Sequence, residues 1–93
     1  MQIDNTKDLK AALRNGPHAF PGGYPVYFIA ADGEPLSYDA VKNNLKLVMH
    51  AVAYPHYRED GWRIVGMDIN WEDPELFCAH TGDRIESAYA END

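Results

Sequence analysis

The segment from Ser37 to Pro55, SYDAVKNNLKLVMHAVAYP, constrains this chain most. Val41, Leu45, Val48, Met49 and Val52 recur at the spacing of one helical face. Ser37 is a good N-cap, Asp39 lies where the helix dipole favours a carboxylate, and Pro55 ends the run. The spacing predicts a helix from Tyr38 to about Tyr54, with Asp39, Lys42, Asn43, Lys46 and His50 on its wet face. A stripe of this kind has to be buried against something, and the flanking segments supply it. Pro25 to Ala31, PVYFIAA, is β-branched and aromatic. Trp62 to Trp71, WRIVGMDINW, sets Val65, Met67, Ile69 and Trp71 on one strand face and Trp62, Ile64, Gly66, Asp68 and Asn70 on the other, which turns polar towards its end.

The remaining elements follow from their breakers. Asp4 or Thr6 caps a short helix from Lys7 to Arg14, whose stripe is Leu9, Ala12 and Leu13 and whose stop is Asn15-Gly16-Pro17. His18 to Pro25, HAFPGGYP, reads as an aromatic loop that lids a core or fixes the entry of a strand. A polar loop is expected at His56 to Gly61 and a turn at Glu72-Asp73-Pro74. Leu76 to Ala79 and Arg84 to Ser87 then form a hairpin around His80-Thr81-Gly82-Asp83, followed by a polar tail. Hairpin-length connections require antiparallel neighbours. The expected fold is α+β: one domain over residues 1–93, with about four antiparallel strands, two helices on one face, and the order α-β-α-β-β-β.

Charge narrows the partners. The net charge is −7, and all of it arises after Lys46, where three arginines face ten acids. That field repels phosphate backbones and favours a basic surface. One cysteine cannot form an internal disulfide, which points to a reducing compartment. MQIDNTKDLKAALR has no apolar leader, and the uncharged run Leu47 to Tyr57 is too short to cross a bilayer. A cytoplasmic protein that contacts neither membrane nor nucleic acid directly is expected.

Three chemistries find candidate residues in the chain. Cys78-Ala-His80-Thr-Gly82 resembles half of a zinc knuckle, but Thr81 stands where the second thiolate belongs and no C-x-x-C occurs elsewhere. Cys78 and His80 are the metal candidates, with His18, His50 or His56 as further donors, and a degenerate knuckle kept as a hairpin is the better account. Asp68, Glu72, Asp73 and Glu75 could serve a cation or an acid–base pair, yet neither the EF-hand spacing nor a phosphate-binding glycine loop is present. A small hydrolase would need Asp68 in a cleft beside Asn70. Cys78 is two residues from His80, a spacing unsuited to a nucleophile–base pair, and reads as a small buried hydrophobe. No cofactor is called for and no enzyme is expected. What remains is a set of acids interleaved with aromatics, the makeup of an interface with anchors and a charged rim. The candidate contacts are Asp68, Asn70, Glu72, Asp73, Glu75, Glu86 and Tyr89, with Trp71 expected in the core and Tyr89 exposed.

The segments PGGYPVYFIAADG, DGWRIVGMDINWEDPELFC and HTGDRIESAYAE together resemble a group of small proteins encoded by bacteriophages and integrated elements, over most of the chain from Pro21 to Glu91. The resemblance carries no catalytic residues across. It implies a mobile-element origin in a bacterial host cell, where small acidic proteins often inhibit host machinery, anti-CRISPR proteins among them.

Overall fold

The computed structural model describes residues 2–19, 23–54 and 61–89. In chain order these form α1 (Thr6–Arg14), β1 (His18–Ala19), β2 (Tyr24–Ala30), β3 (Pro35–Ser37), α2 (Tyr38–Asn43), α3 (Leu45–Ala53) and β4 (Ile64–Ile69). The expected α+β fold with a four-stranded antiparallel sheet is present. The loop at 56–60, the stop at Pro55, the middle of the aromatic loop at 20–22 and the tail at 90–93 lie outside the described residues.

β2 is the hub, because it pairs antiparallel with each of the other three strands. Its alternation is clean where it matters. Val26, Phe28 and Ala30 are buried, while Tyr27 and Ile29 between them are half-covered. Opposite residues of an antiparallel pair share a face, so Phe28 and Met67 lie together on the core side and Tyr27 and Asp68 on the other. Leu9 and Ala12 of α1, Ala40 and Val41 of α2, and Val48 and Val52 of α3 pack with Phe28, Ala30 and Ile64 in one cluster. Full burial of a side chain such as Phe28 contributes about 1.5–3 kcal/mol.

Four local features depart from the sequence pattern, each for a physical reason. Asn5, not Asp4 or Thr6, caps α1: its Oδ1 accepts the Asp8 amide at 2.9 Å, and the Asp8 carboxylate accepts the Asp4 amide in return. The long helix is broken at Asn44, whose backbone leaves the helical region and whose side-chain amide donates to the Ala40 carbonyl at 2.8 Å. A side chain that competes for a helix carbonyl in this way disrupts the ladder. Val41, Val48 and Val52 stay buried across the break, but Leu45, expected in the stripe and next to Asn44, is 40% exposed, and Ala51 joins the buried face. In β4 the register slips between Ile29 and Ala30, pairing Gly66 with Ile29 and Ile64 with Ala30. This bulge at Val65 brings Ile64 onto the face of Met67, where it is buried. Finally, the C-terminal hairpin is reduced to one bridge, Phe77 with Arg84. Its backbone groups are partly spent elsewhere, since the Ala79 amide donates to Pro35 on β3. The turn itself closes as expected: the amides of Cys78, Gly82 and Ile85 donate to Asp83, Cys78 and Leu76. Gly82 takes a φ of +78° there, which favours glycine.

Candidate interaction surface

Beyond Ile69 the strand ends, and with it the alternation. Asn70 was expected on the exposed polar face but is 3% exposed. Its backbone amide donates to Pro25 and its carbonyl accepts from Ala88, so it sits between β2 and the C-terminal segment. Its side chain is the clamp of that segment. Nδ2 lies 3.0, 3.2 and 3.1 Å from the carbonyls of Asp73, Ile85 and Glu86, and Oδ1 accepts the Asp73 amide at 3.2 Å. Asn70 is therefore not a contact residue. It positions the candidate contacts around it, because both polar atoms of its side chain are used to fold 71–73 and 85–88 against each other.

The clamp decides where the neighbouring rings go. Trp71, expected in the core, is 43% exposed, and Tyr89 is 61% exposed. The Tyr89 amide donates to the Trp71 carbonyl at 2.8 Å, which holds the two residues in register. Their rings are near-parallel, 15° apart with centroids at 5.9 Å. Tyr24, at the start of β2, completes the group: its ring is 4.7 Å from Trp71 and 6.1 Å from Tyr89, and the Tyr89 hydroxyl donates to its hydroxyl at 3.4 Å. That hydrogen bond, then slight burial and the charges of Tyr24 and Glu72, raise the Tyr89 phenol above its ordinary pKa. Tyr24 escaped the sequence reading. Its signal was only its place at the mouth of an aromatic loop, and nothing local ties position 24 to 71 and 89.

Glu72 is the acid that acts on the rings, since its charge contributes to raising the Tyr89 phenol. Asp68, Glu72, Asp73, Glu75, Asp83 and Glu86 are all exposed. Asp73 caps the turn by accepting the Glu75 amide at 2.9 Å, and Asp68 accepts the Ile69 amide at 2.8 Å. Burial, with the charges of Asp68 and Asp73, raises the Tyr27 phenol. Glu86 meets His18 at 3.4 Å across the surface. Glu72 and Glu75 are exposed and accept no hydrogen bond from the described residues.

The other candidates fall away from this cluster. Cys78 is 1% exposed, as a small buried hydrophobe would be, and its Sγ accepts the Ser37 amide at 3.4 Å. Burial pushes the thiol up, but hydrogen bonds from Ser37 and Thr81 outweigh it and bring the pKa down from 9.0 to about 7. Thr81 thus supplies hydrogen bonds to the sulfur where a knuckle would supply a second thiolate. His80 is exposed and packs edge-on against Trp62 at 4.6 Å. Among the described residues no three His, Cys, Asp or Glu side chains group so as to hold a metal ion, and His56 lies outside them. A hydrolytic pairing of Asp68 with Asn70 is not formed, since the Asn70 amide is consumed in the clamp. His50 and Tyr54 do meet across one helical turn, at 5.0 Å. No helix among the described residues is long and apolar enough to cross a membrane.

No family model matches the chain, and neither the curated proteins nor the solved structures give a match to it.

Proposed function

We propose that this chain is a non-enzymatic binding protein that docks through its acidic C-terminal half on a basic surface of a protein partner. The observation that supports this is the ring cluster of a half-buried Tyr24 with exposed Trp71 and Tyr89, flanked by the exposed Glu72 and held by a buried clamp. Touching rings with exposed apolar surface are large anchors, and such aromatic anchors beside polar and charged groups are the usual composition of a binding hot spot. Core packing would have buried them. The acids give the surface its sign and exclude a nucleic acid as direct ligand.

The natural class of partner is a nucleic-acid-handling complex, because its phosphate-binding grooves are basic. In that role the chain is an inhibitor of host machinery, in keeping with the mobile-element resemblance and an anti-CRISPR type of action. Immobilised chain is exposed to bacterial lysate, and the captured proteins are eluted with salt or with duplex nucleic acid. Nucleic-acid-binding proteins that are released by both, and not captured by a chain carrying Glu72→Lys, Asp73→Lys and Glu75→Lys, are the expected result. Capture that ignores salt and charge reversal overturns the proposal.

A further inference from the structure

The ring cluster carries more than a charge preference. Two near-parallel rings must stand about 7 Å apart to admit a group between them, twice the ordinary contact distance of about 3.5 Å. Trp71 and Tyr89 stand at 5.9 Å. Tyr24 at 4.7 Å from Trp71 leaves still less room. The rings therefore do not form an open cage that could enclose a bulky ammonium group. They form a stepped platform in which Trp71 and Tyr89 stay 43% and 61% exposed, surface against which a flat group can lie.

Flat ligands that stack on tryptophan and tyrosine are few. Nucleobases do so, but they arrive on a phosphate backbone that Asp68, Glu72, Asp73 and Glu75 repel. A guanidinium is planar, cationic and weakly hydrated, and it stacks on aromatic faces while its N–H donors reach a carboxylate sideways. Glu72 follows Trp71 directly in the chain, accepts no hydrogen bond from the described residues, and lies close enough to Tyr89 for its charge to act on that phenol. The platform and its acceptor thus match planar stacking combined with a sideways fork of donors, which arginine offers and lysine does not.

We propose that the Trp71–Tyr89 step, with Tyr24 behind it and Glu72 beside it, is an arginine-reading site that takes a guanidinium of the partner's basic segment. This rests on the docking function above and specifies its chemistry. The probes are two peptides of identical length and charge, one carrying arginines where the other carries lysines, titrated into the full chain and followed by tryptophan fluorescence and calorimetry.

The arginine peptide is expected to bind about three- to tenfold more tightly, the range of an exposed to partly desolvated cation–π contact. Trp71→Ala and Tyr89→Ala are each expected to erase that preference while leaving salt-sensitive binding of both peptides. Tyr89 is exposed enough that its variant folds even if the Trp71 variant does not. Equal affinity for the two peptides, with binding still abolished by reversal of Glu72, Asp73 and Glu75, overturns the arginine site and leaves the docking function standing. A preference that survives Tyr89→Ala places the site elsewhere and also overturns it. No binding of either peptide refutes both.

Discussion

Replacing Asn70 tests whether the surface is held by a clamp. The side chain is 3% exposed, and its amide shares two hydrogens among three carbonyls while its oxygen takes the Asp73 amide. That amounts to about three hydrogen-bond equivalents at roughly 1 kcal/mol each, and truncation leaves carbonyls of Ile85 and Glu86 without their partner. Asn70→Ala should therefore cost about 2–4 kcal/mol, a large part of the roughly 5–14 kcal/mol that holds a domain of this size. Asn70→Asp should cost at least as much near neutral pH, because a carboxylate would face three carbonyl oxygens. It should recover in part at low pH, where a protonated carboxyl can donate once. Urea unfolding measures the loss. Near-UV circular dichroism should lose Trp71 and Tyr89 intensity, since the residues that bracket them are no longer tied. A cost under about 0.5 kcal/mol with an unchanged near-UV spectrum would refute the clamp and return Asn70 to the surface.

Cys78 sets a pH dependence. Between pH 7 and pH 9 the unfolded chain keeps the thiol proton while the folded chain has lost it, so stability rises with pH across that window and is lost as pH falls through about 7. The gain is at most about 2–3 kcal/mol and should vanish in Cys78→Ala; an identical rise in the variant would contradict it. Phe28→Ala, at a fully buried position beneath α1 and α2, should cost about 3–5 kcal/mol in urea unfolding, and a loss below 1 would mean that the core lies elsewhere. Tyr24→Phe removes the hydroxyl that accepts from Tyr89 and should bring the Tyr89 phenol back towards its ordinary titration, read from the phenolate absorbance; an unaltered curve would mean the two rings do not meet.

Much of this architecture could be read from side-chain periodicity. PVYFIAA was legible as a strand from its β-branched and aromatic residues, though not which of its faces is buried, and Leu9, Val41, Val48 and Val52 were all assigned to the faces that are buried. Features decided by single side chains could not be read in that way. The Asn44 amide breaks a helix whose apolar spacing runs through it, and one extra residue at Val65 turns Ile64 to the core side. β1 and β3 are too short to carry a period at all. The acidic character of the surface was plain in the composition, but Tyr24, Trp71 and Tyr89 are brought together only by tertiary pairing. Asn70 looked like a contact because it followed Asp68 on a polar face. It is buried because β4 stops one residue earlier and the C-terminal segment folds over it.

The central claim, that the rings and the flanking Glu72 receive a basic segment, can be mapped directly by heteronuclear NMR of the labelled chain titrated with the arginine peptide. The two indoles stand on either side of β4 and report from opposite ends of it. Saturating shifts of the Trp71 indole and of the Glu72 and Tyr89 amides, with the Trp62 indole unmoved, are the predicted result. Equal shifts at both indoles, or shifts confined to the Trp62 and His80 side, would contradict it.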